Sequence, residues 1–149
     1  PGDHFLYRDF QSRNIMLADD VPYFIDFQSG RKGPLLYDIA SLLYDAKADI
    51  PQDIRAELLE FYLQRVSSIH KIDIEYYRSQ FWYFAMIRIL QAMGAYGYLG
   101  IVKGKRRFLE SIPYAVRNIN FILNEKIPQG SLAGLNRVFT EILNEQVNV

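Results

Sequence analysis

Two short apolar runs lie close together early in the chain: Asn14-Ile15-Met16-Leu17 and Val21-Pro22-Tyr23-Phe24-Ile25-Asp26-Phe27. The second is rich in aromatic and β-branched residues, and Ala18-Asp19-Asp20 between them has turn chemistry. This pattern predicts a β-hairpin, with Pro22 at an edge or strand start, where its missing N–H is tolerated. Ser29-Gly30-Arg31-Lys32-Gly33-Pro34 reads as a loop by composition. From there the apolar period turns helical and stays so.

Ile39, Leu42 and Leu43 recur at helical spacing within 37–46. Pro51 to Val66 begins with Pro near its first turn and places Ile54, Leu58, Phe61, Tyr62 and Arg65 on a helical period. Asp73 suits the N-cap of a long helix from about Ile74 to Gly94 or beyond, loosened at its end by Gly94, Gly97 and Gly100. Its aromatics Tyr76, Tyr77, Phe81, Trp82, Tyr83 and Phe84 cover nearly every side, the pattern of a helix buried in a bundle. Two further helices are predicted over 106–125, interrupted by Pro113, and over 132–147. The expected fold is α+β and mostly helical, a small hairpin set against a helical body that spans 35–147.

Length and composition place this in one domain over 1–149. A chain of 149 residues that is 50% hydrophobic can form a real core, since a domain of this size buries roughly 68–70% of its unfolded surface. Seventeen basic residues balance seventeen acidic ones, which argues against a nucleic-acid binder. An aromatic content of 15% argues against disorder. The chain has no Cys, so disulfides, thiol nucleophiles and thiolate metal sites are excluded, and a reducing cytoplasmic setting is expected. No stretch reaches the roughly 18 consecutive apolar residues of a membrane span. The chain opens at Pro1 and meets its most chemical-looking residues almost at once, so it reads as a piece of something larger.

The candidate chemistry lies in residues 7–28. Asp9 and Asn14 stand five apart in the segment Tyr7-Arg8-Asp9-Phe10-Gln11-Ser12-Arg13-Asn14, and Asp26 ends the returning strand. A hairpin brings its open ends together, so Asn14 and Asp26 are expected side by side with Asp9 nearby. That arrangement offers two oxygen ligands suited to Mg²⁺ and a separate carboxylate able to accept a hydroxyl proton. An Asp that follows Tyr-Phe-Ile is expected to be half-buried, which is costly without a cation.

The Asp-x-x-x-x-Asn loop followed by a strand ending in Asp-Phe resembles the catalytic-loop and metal-loop pair of the protein-kinase-like fold. Ile25-Asp26-Phe27-Gln28 and the following Tyr37-Asp38-Ile39-Ala40 are similar to the aminoglycoside phosphotransferase and choline kinase branch. Within it, residues 7–14 and Leu90-Gln91-Ala92-Met93-Gly94-Ala95-Tyr96-Gly97 most resemble bacterial anomeric N-acetylmuramate/N-acetylglucosamine kinases. The likeness runs from about Phe5 to Asn124 and describes a carboxyl-terminal lobe.

The resemblance implies an ATP-dependent phosphotransferase acting on a sugar hydroxyl, with Mg²⁺ and ATP as cofactors and an amino sugar as the small-molecule acceptor. It makes Asp9 the base and Asn14 and Asp26 the metal ligands. Asp38 becomes the residue that braces the catalytic loop. Arg8 and Arg13 flank the base and are candidates to neutralise it or to touch the phosphoryl group, and Gln28 joins them as a candidate contact. Gln11 stands where protein kinases commonly place Lys and related sugar kinases often place His, which leaves the acceptor contact there open. Tyr7 replaces the family's usual His.

The resemblance also implies an amino-terminal lobe with a Gly-rich loop and a strand Lys. Gly30-Arg31-Lys32-Gly33 follows the Asp-Phe-Gln segment and is in the wrong place for it. The chain alone is therefore expected to lack useful turnover, and dimerisation through the surface that lobe would cover is expected. Two alternatives remain: an aminoglycoside or choline-type acceptor, and a non-catalytic kinase-like binding module. His4 and His70, far apart in sequence, read as solvated, as does the basic run Lys103, Lys105, Arg106 and Arg107. The cluster around Trp82 reads as core.

Overall fold

Asp19 and Asp20 both adopt left-handed backbone angles, φ 49° and 59°. Two consecutive positive φ values are what a two-residue type I′ hairpin turn demands, and Asp tolerates that region better than most residues. The turn joins β2 (Ile15–Ala18) to β3 (Val21–Phe24), paired antiparallel with Ala18 opposite Val21 and Leu17 opposite Pro22. In such a ladder the second pair from the turn exchanges no backbone hydrogen bonds, so Pro22 sits where it loses nothing. The computed structural model describes residues 4–146, and the side chains of residues 4–142.

A second antiparallel pair was not legible in the sequence. β1 (His4–Leu6) pairs with β4 (Arg31–Gly33), placing His4 opposite Gly33 and Leu6 opposite Arg31. The stretch expected to be only a loop thus contains a strand. Three residues reading Arg-Lys-Gly carry no alternation, and their partner lies more than twenty residues away. Gly33 is required by close approach: a Cβ there would stand 2.2 Å from Cδ1 of the buried Leu6.

The chain divides into two compact units, the first ending at Arg88 and the second beginning at Ile89. The first holds both sheets, α1 (Leu36–Leu43), α2 (Gln52–Ser67) and most of α3 (Ile74–Gly97). Leu36, Ala40 and Leu43 bury one stripe of α1, and Leu59 and Leu63 bury one of α2. Pro51 occupies the position just before the first turn of α2, and its carbonyl accepts the N–H of Arg55 at 3.0 Å. Asp73 accepts the N–H of Tyr76 at 3.1 Å, the capping bond its position predicts.

Polar side-chain cross-links hold these helices. Arg78 forks both oxygens of Glu60 at 2.6 and 2.7 Å and also pairs with Glu75. Tyr62 donates to the carbonyl of Leu35 at 2.8 Å. Arg88 donates to Tyr37 Oη at 2.6 Å and to Ser41 Oγ at 2.9 Å. Of the α3 aromatics only Phe81 is fully buried, edge-on to Trp82 and tilted against Tyr44, whereas Tyr76 is largely exposed. The expectation of burial on every side is corrected to one buried stripe, Phe81, Ala85, Met86 and Ile89. By length and mean hydropathy the run Ile74–Val102 resembles a membrane-crossing helix. It lacks eighteen consecutive apolar residues because Arg78, Gln80, Arg88 and Gln91 interrupt it.

In the second unit a π-helical turn (Tyr98–Val102) and a 3₁₀ segment (Arg106–Ser111) precede α4 (Ile112–Glu125) and α5 (Ala133–Gln146). Pro113 lies in the first turn of α4, where it has no N–H to lose, so the predicted interruption is the boundary between the 3₁₀ segment and α4. Val116, Ile119, Ile122 and Leu123 form the buried stripe of α4. Lys103 and Arg107 of the basic run lie over the rings of Tyr98 and Phe108.

Candidate active site

The segment from Tyr7 to Asn14 lies within the first unit and is pinned at several points. Asp38, in the first turn of α1, accepts the main-chain N–H of Tyr7 at 2.6 Å and of Arg8 at 2.9 Å. Arg8 holds a left-handed φ of 76°, a strained setting for a long side chain. Strain of this kind costs on the order of 1–3 kcal/mol and persists only where surrounding bonds enforce it. The two charge-assisted bonds to Asp38 do so, and they direct the chain into Asp9.

After Asp9 the backbone coils. Gln11 donates its N–H to the carbonyl of Asp9 at 3.0 Å, and a single 3₁₀ turn, Ser12–Asn14, follows. Asn14 is 6% exposed, and its side-chain Nδ2 donates to that same carbonyl at 2.8 Å. A carbonyl can only accept, so the amide nitrogen must face it and Oδ1 is turned the other way. Asn14 also accepts at its own main-chain carbonyl from the N–H of Ile25 at 3.0 Å, which extends the hairpin ladder by one pair. Asp26 is the next residue after that partner.

Asp26 is exposed, which corrects the expectation of a half-buried carboxylate. The ladder ends at Ile25, and Asp26 turns away with a left-handed φ of 67°. Gln28 donates to its Oδ1. Tyr7 donates its hydroxyl to the carbonyl of Ile25, joining the start of this segment to the end of the hairpin. The Tyr7 hydroxyl is pushed above its ordinary pKa by desolvation first, and then by the charges of Asp26 and Asp9. Both carboxylates therefore act on one phenol.

The two arginines divide. Arg13 pairs with Asp9 Oδ2 at 2.8 Å, with the Arg13 side chain 62% exposed and that of Asp9 31% exposed. Arg8 instead reaches the carbonyl of Ser29 at 3.4 Å. The 3₁₀ turn has a further anchor that no motif singled out. Asp45, just past the end of α1, accepts the N–H of Ser12 at 3.1 Å and its hydroxyl at 2.7 Å. The only sequence signal for it is an Asp seven residues, two helical turns, beyond Asp38. His70 is exposed, as expected, and His4 is half-buried; though far apart in sequence, their rings meet edge to face with centroids 5.5 Å apart.

The donor set suits an oxygen-seeking cation. Asn14 offers an amide oxygen and Asp26 an accessible carboxylate at neighbouring ends of the hairpin, and no group of three His, Cys, Asp or Glu residues able to hold a metal occurs among the described residues. Mg²⁺ is commonly held in this way, by one or two protein oxygens with nucleotide phosphates and water completing the shell. The hairpin itself is apolar and open, with Leu17 74% and Tyr23 55% exposed.

A segment braced from a following helix thus stands beside an amide and a carboxylate at the open end of a hairpin. Residues 3–78 match the model of the phosphotransferase enzyme family, and the chain belongs to that family. Among curated proteins it is similar to the N-acetylmuramate/N-acetylglucosamine kinase of Neisseria meningitidis serogroup B, 27% identical over 146 residues, covering 95% of this chain and 42% of that protein. It is likewise similar to the protein of the same name from Pseudomonas putida, 28% identical over 141 residues, covering 92% of this chain and 40% of that protein. The chain thus spans about two fifths of the length of the curated relatives it matches.

Proposed function

We propose that this chain is the carboxyl-terminal, catalytic lobe of an ATP-dependent kinase that phosphorylates a sugar hydroxyl, with an amino sugar of the N-acetylmuramate/N-acetylglucosamine kind as acceptor. The observation that carries this reading is the bond from Asn14 Nδ2 to the Asp9 carbonyl. It ties the residue read as the base to the residue read as a metal ligand. The acceptor class is supported by the names of the two relatives that cover most of the chain.

In this reading Asp9 accepts the proton of the acceptor hydroxyl, or orients that hydroxyl for attack. Arg13 pairs with Asp9 at rest. As an exposed cation beside Asp9 it would also meet the transferred phosphoryl group, where Gln11 supplies no charge. Asn14 and Asp26 would hold Mg²⁺, which when bound neutralises the nucleotide phosphates and templates them for transfer. Gln28 steadies Asp26. Asp38 keeps the strained Arg8 in place, so Asp9 is presented without reorganisation. The open apolar hairpin is the surface an amino-terminal lobe would cover, and the chain alone is expected to bind nucleotide feebly.

The test uses the full-length protein that carries this chain, with Mg²⁺ and ATP. It is offered N-acetylmuramic acid, N-acetylglucosamine, choline and an aminoglycoside, and new phosphoesters are followed by phosphorus NMR. An anomeric phosphate that disappears in Asp9→Asn supports the proposal. Signal only with an amine-bearing acceptor would replace the substrate and keep the chemistry. Silence with every acceptor, together with no nucleotide binding, would favour a kinase-like binding module.

A further inference from the structure

We infer that Ser12 and Asp45 form a positioning pair whose task is to aim the side chain of Asn14. The inference rests on the reading of Asn14 as a cation ligand.

Asp45 is 9% exposed, and its carboxylate accepts the N–H of Ser12 at 3.1 Å, the hydroxyl of Ser12 at 2.7 Å and the N–H of Lys47 at 3.1 Å. A buried carboxylate is unfavourable unless donors satisfy it. Its place in the fold adds to that cost. It lies two residues beyond Leu43, at the carboxyl-terminal end of α1, where the helix dipole disfavours negative charge. Neither the helix nor its cap benefits from an acid there, because the last carbonyls of α1 need donors rather than acceptors. Two of the three bonds that hold Asp45 come from one loop residue thirty-three positions earlier.

Ser12 is the first residue of the 3₁₀ turn whose last residue is Asn14. Held through both its backbone and its side chain, Ser12 cannot rotate without breaking two charge-assisted bonds. The turn then closes with the N–H of Asn14 on the carbonyl of Gln11 at 2.9 Å and Asn14 Nδ2 on the carbonyl of Asp9. Asp38 near the start of α1 grips the segment just before Asp9, and Asp45 just past its end grips it just before Asn14. One short helix thereby sets the spacing between the two residues. Partners behind a metal ligand commonly alter metal affinity by 10–100-fold when removed.

The test uses the full-length protein that carries this chain, labelled with ¹⁵N, with Mn²⁺ in the presence of ATP as the probe. Three quantities are read for wild type, Ser12→Ala and Ser12→Thr: the solvent exchange of the Asn14 side-chain amide, Mn²⁺ affinity by water-proton relaxation, and the thermal midpoint. Ser12→Ala is expected to speed exchange of the Asn14 amide and to weaken Mn²⁺ binding about tenfold, and Ser12→Thr to restore both. Ser12→Ala is the primary variant because Asp45→Asn can fail to fold. A lowered midpoint with unchanged amide exchange and unchanged Mn²⁺ affinity would overturn the inference and leave the pair purely structural. If the wild-type protein takes up no Mn²⁺ with ATP present, the metal reading of Asn14 fails. The amide signal then still decides the positioning: faster exchange in Ser12→Ala supports it, and no change overturns it.

Discussion

The side-chain amide of Asn14 donates to the main-chain carbonyl of Asp9 at 2.8 Å, across five residues of coiled backbone. Asn14→Asp removes that donor and sets a carboxylate against a carbonyl oxygen in a nearly buried position. The Asp9 carbonyl keeps the Gln11 N–H, so the cost falls on the new side-chain oxygen left facing it without a donor, about 1–3 kcal/mol. A loss of that size in urea unfolding, with Mn²⁺ binding weakened rather than strengthened by the added charge, is the expected outcome. Tighter Mn²⁺ binding with full stability would show that the Asn14–Asp9 bond does not organise the segment.

Asp38 supports two amides at once, one of them at the strained Arg8. Asp38→Asn keeps the size of the side chain but loses the charge and one acceptor oxygen. Hydrogen bonds to charged groups contribute about 1.5–3 kcal/mol each, so the unfolding midpoint should fall by the equivalent of about 2–3 kcal/mol. In the full-length protein, turnover should fall by well over tenfold because Asp9 is no longer held. Unchanged turnover in a folded variant would remove Asp38 from the catalytic apparatus.

Arg13 should behave in the opposite way. Its pair with Asp9 is exposed, and pairs of that kind contribute only about 0–1 kcal/mol. Arg13→Gln is expected to leave thermal stability nearly unchanged while lowering phosphoryl transfer in the full-length protein by about tenfold or more. Stability and kinetics measured on the same preparation separate the two roles, and equal turnover would return Arg13 to a surface ion pair.

Two tyrosines predict an alkaline signature. Burial pushes the hydroxyls of Tyr44 and Tyr62 up to about 12 from an ordinary value of 10. A raised folded pKa favours the protonated, folded state, so this contribution is complete below pH 10. It is lost as pH rises from 10 towards about 12. Tyrosinate absorbance should show a late phase in that window, diminished in Tyr44→Phe and in Tyr62→Phe. Stability should fall across the same range.

Gly33 predicts a local clash. A Cβ there would meet the buried side chain of Leu6, and overpacking typically costs about 1–3 kcal/mol. Gly33→Ala should lower the unfolding midpoint, and Leu6→Ala in the same chain should relieve part of the loss. If the two changes are simply additive, the close approach of β1 and β4 is not tight in solution.

The hairpin, the helices and the cap at Asp73 could be read from the chain because each rests on neighbours in sequence: a turn pair, a period, an Asp before an apolar run. The same locality made Asp9, Asn14 and Asp26 conspicuous as a spaced set of oxygen-bearing residues. What could not be read this way depends on contacts across more than twenty residues. The β1–β4 pair joins His4 to Gly33, the rings of His4 and His70 meet, and Asp45 closes on Ser12. No periodicity or short motif encodes such pairings, because they are chosen by which surfaces the rest of the fold brings together.

The chain by itself determined which residue types stand at the open end of a hairpin and that a helical body follows, since local geometry and apolar period act within a few residues. Only the tertiary structure decided how those residues are held. It turned Asp26 outward where a half-buried carboxylate was expected, because the ladder stops at Ile25 and the backbone takes a positive φ. It gave Asp9 to Arg13 rather than to Arg8, because the N–H of Arg8 is committed to Asp38 and its side chain turns towards Ser29. An ion pair is selected by the direction in which the backbone presents each side chain, and here that direction is set by acids on and just beyond a helix some thirty residues downstream.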